Sequence, residues 1–299
     1  MLRECKTKEE LQDLFEKTKS FPNFLNVHSD IAVTLEDNFP EHCSKYFIYE
    51  EKNGALLVIL FAGFSISSHR PELFLCCNLM AEKIFKEKDL WKVFDKVNSE
   101  IEISNKPNLW TLVHGKIGKI YNEWFEFRFP SINLIFVPCF KFFMTKEQQS
   151  LLVEECKNEI LLANGYYFDD NISEKDMEIM IETWKFCDNS ESDIMKSIFK
   201  HMPISLIRDS LTDEPVSFEH SDTRGCLNHL LTFPLHRNKG LGTSVEKNLC
   251  LKMIQKGMIP YKFVETTNFA VAESNIRSKY WTCWKDMNGP VIQYWMQPK

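Results

Sequence analysis

The chain has 299 residues, of which 44% are hydrophobic and 26% charged, and its formal net charge is −6. That length can hold two ordinary domains with cores of their own, and the acidic balance excludes a general attraction to nucleic acid or to acidic membrane surfaces. No apolar run reaches the length of a membrane span. The ten cysteines are scattered, with Cys76 and Cys77 adjoining, so reduced and mostly buried thiols are expected rather than a disulfide framework. No spacing of cysteines and histidines spells a zinc site, and no metal is expected. The first residues, Met1 to Glu10, show neither the apolar block of a secretory signal nor a transit peptide's poverty in acids. A cytoplasmic or mitochondrial protein, not a secreted one, is the expectation.

The predicted elements open with a helix from Lys8 to Lys19, which sets Leu11, Leu14 and Phe15 near one face. Strands follow at Tyr46–Glu50 and Ala55–Phe64, joined by the hairpin signal Glu51-Lys-Asn-Gly54. Phe74–Met80 and Trp110–His114 also read as strands, with a helix at Asp89–Asn98 between them. Gly115-Lys-Ile-Gly118 reads as an ordinary turn. Pro138 interrupts the strand-like run Ile132–Phe143, which argues for an edge or a break there. His28, His42, His69 and His114 stand alone in the sequence and read as surface or satisfied histidines rather than ligands or bases. A helix from Thr145 to Leu162 closes this half. The domain boundary is placed near residue 150, giving domains 1–150 and 151–299.

In the second half, Ser173-x-x-Asp176 has the form of a capping box and opens a helix through Trp184. Ser190 or Ser192 caps a second helix to His201. Strands are expected at Ile204–Arg208, Pro215–His220 and Cys226–Phe233, with a turn at Asp222-Thr-Arg-Gly225. Then comes Phe233-Pro-Leu-His-Arg-Asn-Lys-Gly-Leu-Gly-Thr243, and an amphipathic helix with Val245, Leu249 and Met253 in phase, stopped by Gly257 and Pro260. The strand Tyr261–Glu265, the helix Phe269–Tyr280 and terminal strand material complete the chain. A strand, a glycine turn and a helix N-terminus together make an anion site, because several N–H groups converge where the helix dipole is positive. Neither a nucleotide-binding P-loop ending nor a third dinucleotide-type glycine is present, so pyrophosphate on a different scaffold is the natural occupant.

Arg237-x-x-Gly240-x-Gly242 resembles the acyl-CoA pyrophosphate loop of the GNAT acyltransferase superfamily. The element order around it is also GNAT-like. Trp184, Pro215-Val-Ser-Phe218, the Gly225 turn, Pro234-x-x-Arg237-x-x-Gly240 and Lys256-Gly-x-x-Pro-x-Lys-x-Val264 followed by Asn268 are similar to the glycine N-acyltransferase family. The detailed likeness covers about residues 175–285; over the first 150 it rests on length and architecture. The resemblance implies an α/β (α+β) fold of two GNAT-like domains, each a mixed, mostly antiparallel sheet with flanking helices. The CoA loop belongs to the C-terminal domain alone. It implies acyl transfer from acyl-CoA, a co-substrate, to the amine of glycine or a related small amino acid, with no metal and no nucleic-acid or membrane partner. Arg237, Asn238, Lys239, Gly240, Leu241, Gly242 and Thr243 would cradle the pyrophosphate. Leu231 and Phe233 would offer backbone groups to the pantetheine, and Asn268 would contact the cofactor or cap a helix.

The chain departs from the family at the general base. In the mammalian enzymes a glutamate follows the turn glycine, whereas here Gly225 precedes Cys226. The ordinary reading of Cys226 is a small buried residue. If Ser221 and Cys226 close the hairpin, Glu219 faces Asn228 on the face of Cys226 and becomes a replacement base, with His220 and His229 on the opposite face. A third route uses no side-chain base. Transfer to another small amine or polyamine, or a catalytically weak acyl-CoA-binding sensor, are the alternative functions.

Overall fold

The computed structural model describes residues 1–19, 22–37, 39–65, 70–106, 108–187 and 191–299; His69 and the proposed cap Ser190 lie outside the described residues. Its strands in chain order are β1 (Leu2–Cys5), β2 (Lys45–Glu50), β3 (Leu56–Ala62), β4 (Glu72–Cys77), β5 (Trp110–His114), β6 (Leu134–Phe143), β7 (Tyr166–Phe168), β8 (Ile204–Asp209), β9 (Pro215–Ser221), β10 (Leu227–Thr232), β11 (Tyr261–Glu265), β12 (Thr282–Cys283), β13 (Lys285–Asp286), β14 (Gly289–Pro290) and β15 (Ile292–Pro298). The chain divides into two compact units. One comprises Met1–Lys141, Val264–Glu273 and Cys283–Lys299; the other comprises Phe142–Phe263 and Ser274–Thr282. The expected division at residue 150 treats both parts as contiguous, whereas the last strand of the chain completes the first unit.

In the first unit the strands run in the order β1-β2-β3-β4-β5-β15-β6. The pairs are antiparallel except β4 with β5, which are parallel and zipped by Glu72↔Trp110, Leu73↔Thr111 and Phe74↔Leu112. Trp295 of β15 lies opposite Leu112 of β5 on one side and Val137 of β6 on the other. Pro138 therefore sits within a continuous ladder, opposite Tyr294, and not at an edge or break. A residue's N and C=O point to the same side of a strand, and the Pro138 carbonyl accepts the Thr266 N–H at 3.0 Å or less (2.9 Å), away from β15. The missing proline donor thus costs the β15 ladder nothing.

The apolar run of β3 is buried almost throughout. Leu57 and Ile59 join Leu90, Phe94, Tyr121 and Trp124 of the helices Glu87–Ile101 and Gly115–Arg128 in one buried cluster. The latter helix replaces the turn expected at Gly115–Gly118. Its two glycines weaken local helix propensity, but the buried stripe Ile117, Ile120, Tyr121 and Trp124 overrides them.

The second unit carries an antiparallel sheet in the order β10-β9-β8-β7. The helices Glu174–Glu182 and Ser192–His201 lie between β7 and β8 in the chain. Helix Leu241–Gln255 packs on the sheet through Leu241 and Val245, which share a buried cluster with Ile207 and Val216. The predicted capping box is present: the Ser173 hydroxyl accepts the Asp176 N–H, and Asp176 Oδ2 accepts the Ser173 N–H at 2.7 Å. Asp176 does a second job. Its carboxylate takes both Arg208 Nη1 and Nη2, at 3.0 and 2.7 Å, while Asp169 Oδ2 accepts Arg208 Nε at 2.6 Å. One guanidinium so fastens helix Glu174–Glu182 to β8.

Burial alone would raise the Asp176 carboxyl, but the Arg208 and Ser173 hydrogen bonds carry it below its ordinary value. A folded pKa below the unfolded one stabilises above the unfolded value and loses that contribution as pH falls through the folded value. Arg208→Met should therefore cost about 3 kcal/mol at neutral pH, since it strands the buried Asp176 carboxylate and the half-buried Asp169 beside it. Urea denaturation should show the gap to wild type narrowing below about pH 4, where those carboxylates protonate.

Candidate functional site

The site in the second unit begins at a turn built on one carboxylate. Asp222 Oδ1 accepts the backbone N–H of Arg224 at 2.9 Å and of Cys226 at 3.0 Å, and Oδ2 accepts Asn228 Nδ2 at 3.1 Å. The Asp222 N–H in turn donates to the Cys226 carbonyl at 3.0 Å. This places Leu227 opposite Ser221 and Asn228 opposite His220. The expected register, with Ser221 against Cys226 and Glu219 against Asn228, is one residue out, because the turn includes Cys226. A bulge then adds a second residue to the offset. His229 and Leu230 together oppose Glu219, and pairing resumes at Leu231↔Phe218. His229 adopts φ +57°, the left-handed region that few non-glycine residues enter.

The bulge decides which main-chain groups are available. The Phe233 N–H donates to the Val216 carbonyl at 3.0 Å, and the Leu231 carbonyl accepts the Ser217 hydroxyl at 3.0 Å. By strand alternation both residues direct their backbone groups toward β9, so neither is placed to receive a ligand at the free edge as expected from the sequence. Leu230 and Thr232 face that edge instead. On its far side β11 meets this edge of the sheet at a single parallel bridge, Cys226↔Tyr261. The Tyr261 hydroxyl donates to the Arg224 carbonyl at 2.8 Å and fastens the junction. Cys226 itself is buried at this hinge point.

Beyond β10 a single 3₁₀ turn, Pro234–His236, leads into the glycine loop. Arg237 Nε donates to the Thr232 carbonyl at 2.9 Å, so the guanidinium folds back over the end of β10. Asn238 and Gly240 have φ +61° and +78°. A β-carbon at residue 240 would meet nothing within 4 Å, so conformation and not space requires glycine there. At Gly242 the requirement is space: a β-carbon would stand 3.3 Å from Thr232 Oγ1. The helix N-terminus can therefore press against β10. Among the described residues, the N–H groups from Asn238 to Thr243 find no backbone acceptor, and no side chain caps the helix. Lys239 reaches back to the Tyr166 hydroxyl, which also meets His236 Nδ1 at 3.0 Å. A strand edge, an uncapped helix N-terminus and a loop of unpartnered donors converge on one exposed anion site.

Whole-chain comparison decides the architecture. A Drosophila melanogaster protein of known X-ray structure matches with a TM-score of 0.71 at 11% identity, over 100% of this chain and 98% of its own. A tandem GNAT protein from the clavulanic acid biosynthesis pathway matches with a TM-score of 0.57 at 8% identity, covering 100% and 98%. The fold is that of a tandem GNAT protein. A GCN5-related N-acetyltransferase from Kribbella flavida agrees, with a TM-score of 0.54 at 8% identity over 93% and 96%. A scan against protein-family models and a search of curated proteins both found no match.

The two faces of the second GNAT sheet carry different chemistry. Glu219 is 2% exposed and lies on the face covered by helix Leu241–Gln255. Glu246 of that helix pairs with Lys262 and accepts Trp281 Nε1 at 2.9 Å. Glu219 Oε2 is buried with no hydrogen-bond partner. Burial first, then the charge of Glu246, hold its carboxyl well above the ordinary range, against the opposing pull of Lys262. A neutral acid buried under a helix is a poor acceptor for a substrate's proton. Sequence reasoning missed this Glu246–Lys262–Trp281 network, which no short motif marks.

On the other face His229 stacks on Trp184, with ring centroids 5.7 Å apart and planes at 11°. His220 meets Trp184 and Phe199 edge-on. Burial lowers His220 to about 4, and burial with the neighbouring His220 lowers His229 to about 3. Both rings are neutral at physiological pH. His229 Nε2 lies 3.4 Å from the Thr183 hydroxyl, and its buried Nδ1 has no partner. Asn268 stands in the first compact unit, where its side chain accepts the Val271 N–H at 3.5 Å at the start of helix Phe269–Arg277.

Glu219 gives a pH-linked prediction. With its folded pKa raised, the native state binds the extra proton, and stability falls as pH rises from the unfolded value toward the folded one. Glu219→Gln removes that penalty. Its stability relative to wild type should climb by up to about 1.4 kcal/mol per pH unit above about pH 4.5, read by denaturant melts from pH 5 to 8.

Proposed function

We propose that the protein is an acyl-CoA-dependent N-acyltransferase that acylates the amine of glycine or a related small amino acid. The observation that carries this reading is the uncapped run of N–H groups from Asn238 to Thr243 beside a strand edge that β11 leaves open beyond Cys226. The diphosphate of the acyl-CoA would sit on that run, with Arg237 and Lys239 supplying charge. Its pantetheine would lie along β10 as an added strand, using the main chain of Leu230 and Thr232. The resemblance of residues 175–285 to glycine N-acyltransferases supports the amino-acid acceptor.

The amine attacks the thioester carbonyl, the C–N bond forms, the C–S bond breaks, and the CoA thiolate takes up a proton. An amino acid arrives as ammonium, so a proton must leave before attack. Glu219 is badly suited to take it. His229 is the better base: it is neutral, sits in the bulge next to Leu230, and lies on the face that helix Leu241–Gln255 leaves uncovered. The bulge N–H groups would hold the oxyanion.

The test is CoA release from acetyl-, benzoyl- and octanoyl-CoA with glycine and a panel of amines, with mass spectrometry of the product. Glycine-dependent N-acyl product is expected. His229→Gln should lower kcat about 10²- to 10⁴-fold, while Glu219→Gln leaves it within a few-fold. Gly240→Val should raise the Kd for CoA about tenfold or more by straining the loop. Tight CoA binding with no product from any amine would reject catalysis and favour an acyl-CoA sensor.

A further inference from the structure

The first unit holds a second constellation, independent of the acyl-transfer reading. β4 ends at Cys77, the short helix Leu79–Ile84 carries Glu82, and β5 ends at His114 where helix Gly115–Arg128 begins. One potential ligand atom from each of these three side chains lies within 4.8 Å of the other two. Cys77 Sγ is 3.4 Å from Glu82 Oε1, and His114 Nδ1 is 3.8 Å from the same oxygen. The second distance is too long for a hydrogen bond. Both are close to the edge of a tetrahedral site, about 3.3–3.6 Å for ligand bonds of about 2.0–2.3 Å.

The surroundings hold the three groups in this arrangement. Glu82 Oε2 accepts the Lys116 N–H at 2.8 Å, which leaves Oε1 turned to the thiol and the imidazole. A β-carbon at Gly115 would lie 2.4 Å from Oε1, so the absent side chain makes room for the carboxylate. His114 is 7% exposed, yet among the described residues neither ring nitrogen makes a hydrogen bond, and Nε2 is fully buried. Nδ1 is the nitrogen turned to Glu82, and with no hydrogen bond of its own it is the one that would ligate.

We propose that Cys77, Glu82 and His114 bind a divalent cation of the zinc class. Sulfur, nitrogen and oxygen donors together suit a borderline-soft, tetrahedral ion. On binding, the Cys77 S–H bond breaks, the metal–sulfur bond forms, and one proton leaves to solvent. Thiolate and carboxylate then balance the two positive charges of the ion. Water fills the fourth position beside Glu82, whose side chain is 19% exposed. The ion clips the end of β4 and its following helix to the start of helix Gly115–Arg128. The sequence expectation of no metal rested on spacing, and positions 77, 82 and 114 match no spacing pattern because the fold alone assembles them.

The full chain is stripped with a chelator, reloaded with zinc, desalted, and assayed for bound metal and by X-ray absorption. About one zinc per chain with one sulfur neighbour at about 2.3 Å is expected. Cys77→Ser and His114→Gln should each weaken zinc binding at least about tenfold, as should Glu82→Gln, and zinc should raise the Tm of wild type but not of Cys77→Ser. Retention of no zinc by wild type, a shell without sulfur, or unchanged affinity in folded variants would overturn the site. Where a variant does not fold, the X-ray absorption of wild type decides alone.

Discussion

The second unit depends on one residue of register in β10. An unpaired strand edge is a row of donors and acceptors in search of partners. Here the bulge at His229 and Leu230 chooses which ones face outward. Without it, Leu231 and Phe233 would face the split and the loop would start out of phase with the edge. With it, Thr232 presents its carbonyl to Arg237 and its side chain to Gly242, so strand, cation and helix N-terminus are locked by the same residue. The left-handed backbone of His229 is the local strain that this arrangement carries.

The same parallel pairing is treated in opposite ways by the two units. In the first, β4 and β5 are joined through three consecutive pairs, and β15 fills the next place in the sheet. No edge is left to receive a ligand strand there. In the second, β10 and β11 share one bridge, and the uncapped loop lies at the end of β10. A tandem GNAT fold therefore does not imply two acyl-CoA sites. The closed pair and the open pair are the physical difference between the two units at this point of the sheet.

Much of this was legible in the sequence. Capping at Ser173, the glycine loop and the stripe Val245, Leu249 and Met253 are local signals, and local signals predict local structure well. The separation of Glu219 from the two histidines was also right, since His220 and His229 share the Trp184 side and Glu219 faces Glu246, but Asn228, expected opposite Glu219, stands opposite His220. The register of β10 was not legible, because it depends on whether Cys226 belongs to turn or strand. That choice is made by Asp222, whose carboxylate collects the N–H groups of the turn. The helix at Gly115 was missed for a related reason: its glycines argue locally for a turn, and only the buried partners across the sheet outweigh them. Nor could the pairing of Cys77, Glu82 and His114 be read, as each lies on a different element.

For the acyl transfer proposed above, a cysteine at position 226 raises the question of where the ammonium proton goes, and burial separates the candidates. A carboxyl takes a proton from an ammonium only if it is ionised beforehand, and ionising Glu219 would place a second negative charge near Glu246 in a buried site. An imidazole faces the reverse balance. Burial removes its charge, so His229 stands neutral in the resting protein and ready to accept a hydrogen bond. Its depressed pKa makes it a weak base, but an incoming carboxylate from an amino acid would stabilise the imidazolium and raise that pKa as the substrate arrives. A zwitterionic acceptor would thereby improve its own base. A simple amine or polyamine, carrying positive charge alone, would do the opposite, so the proposed half-buried histidine base would favour amino acids.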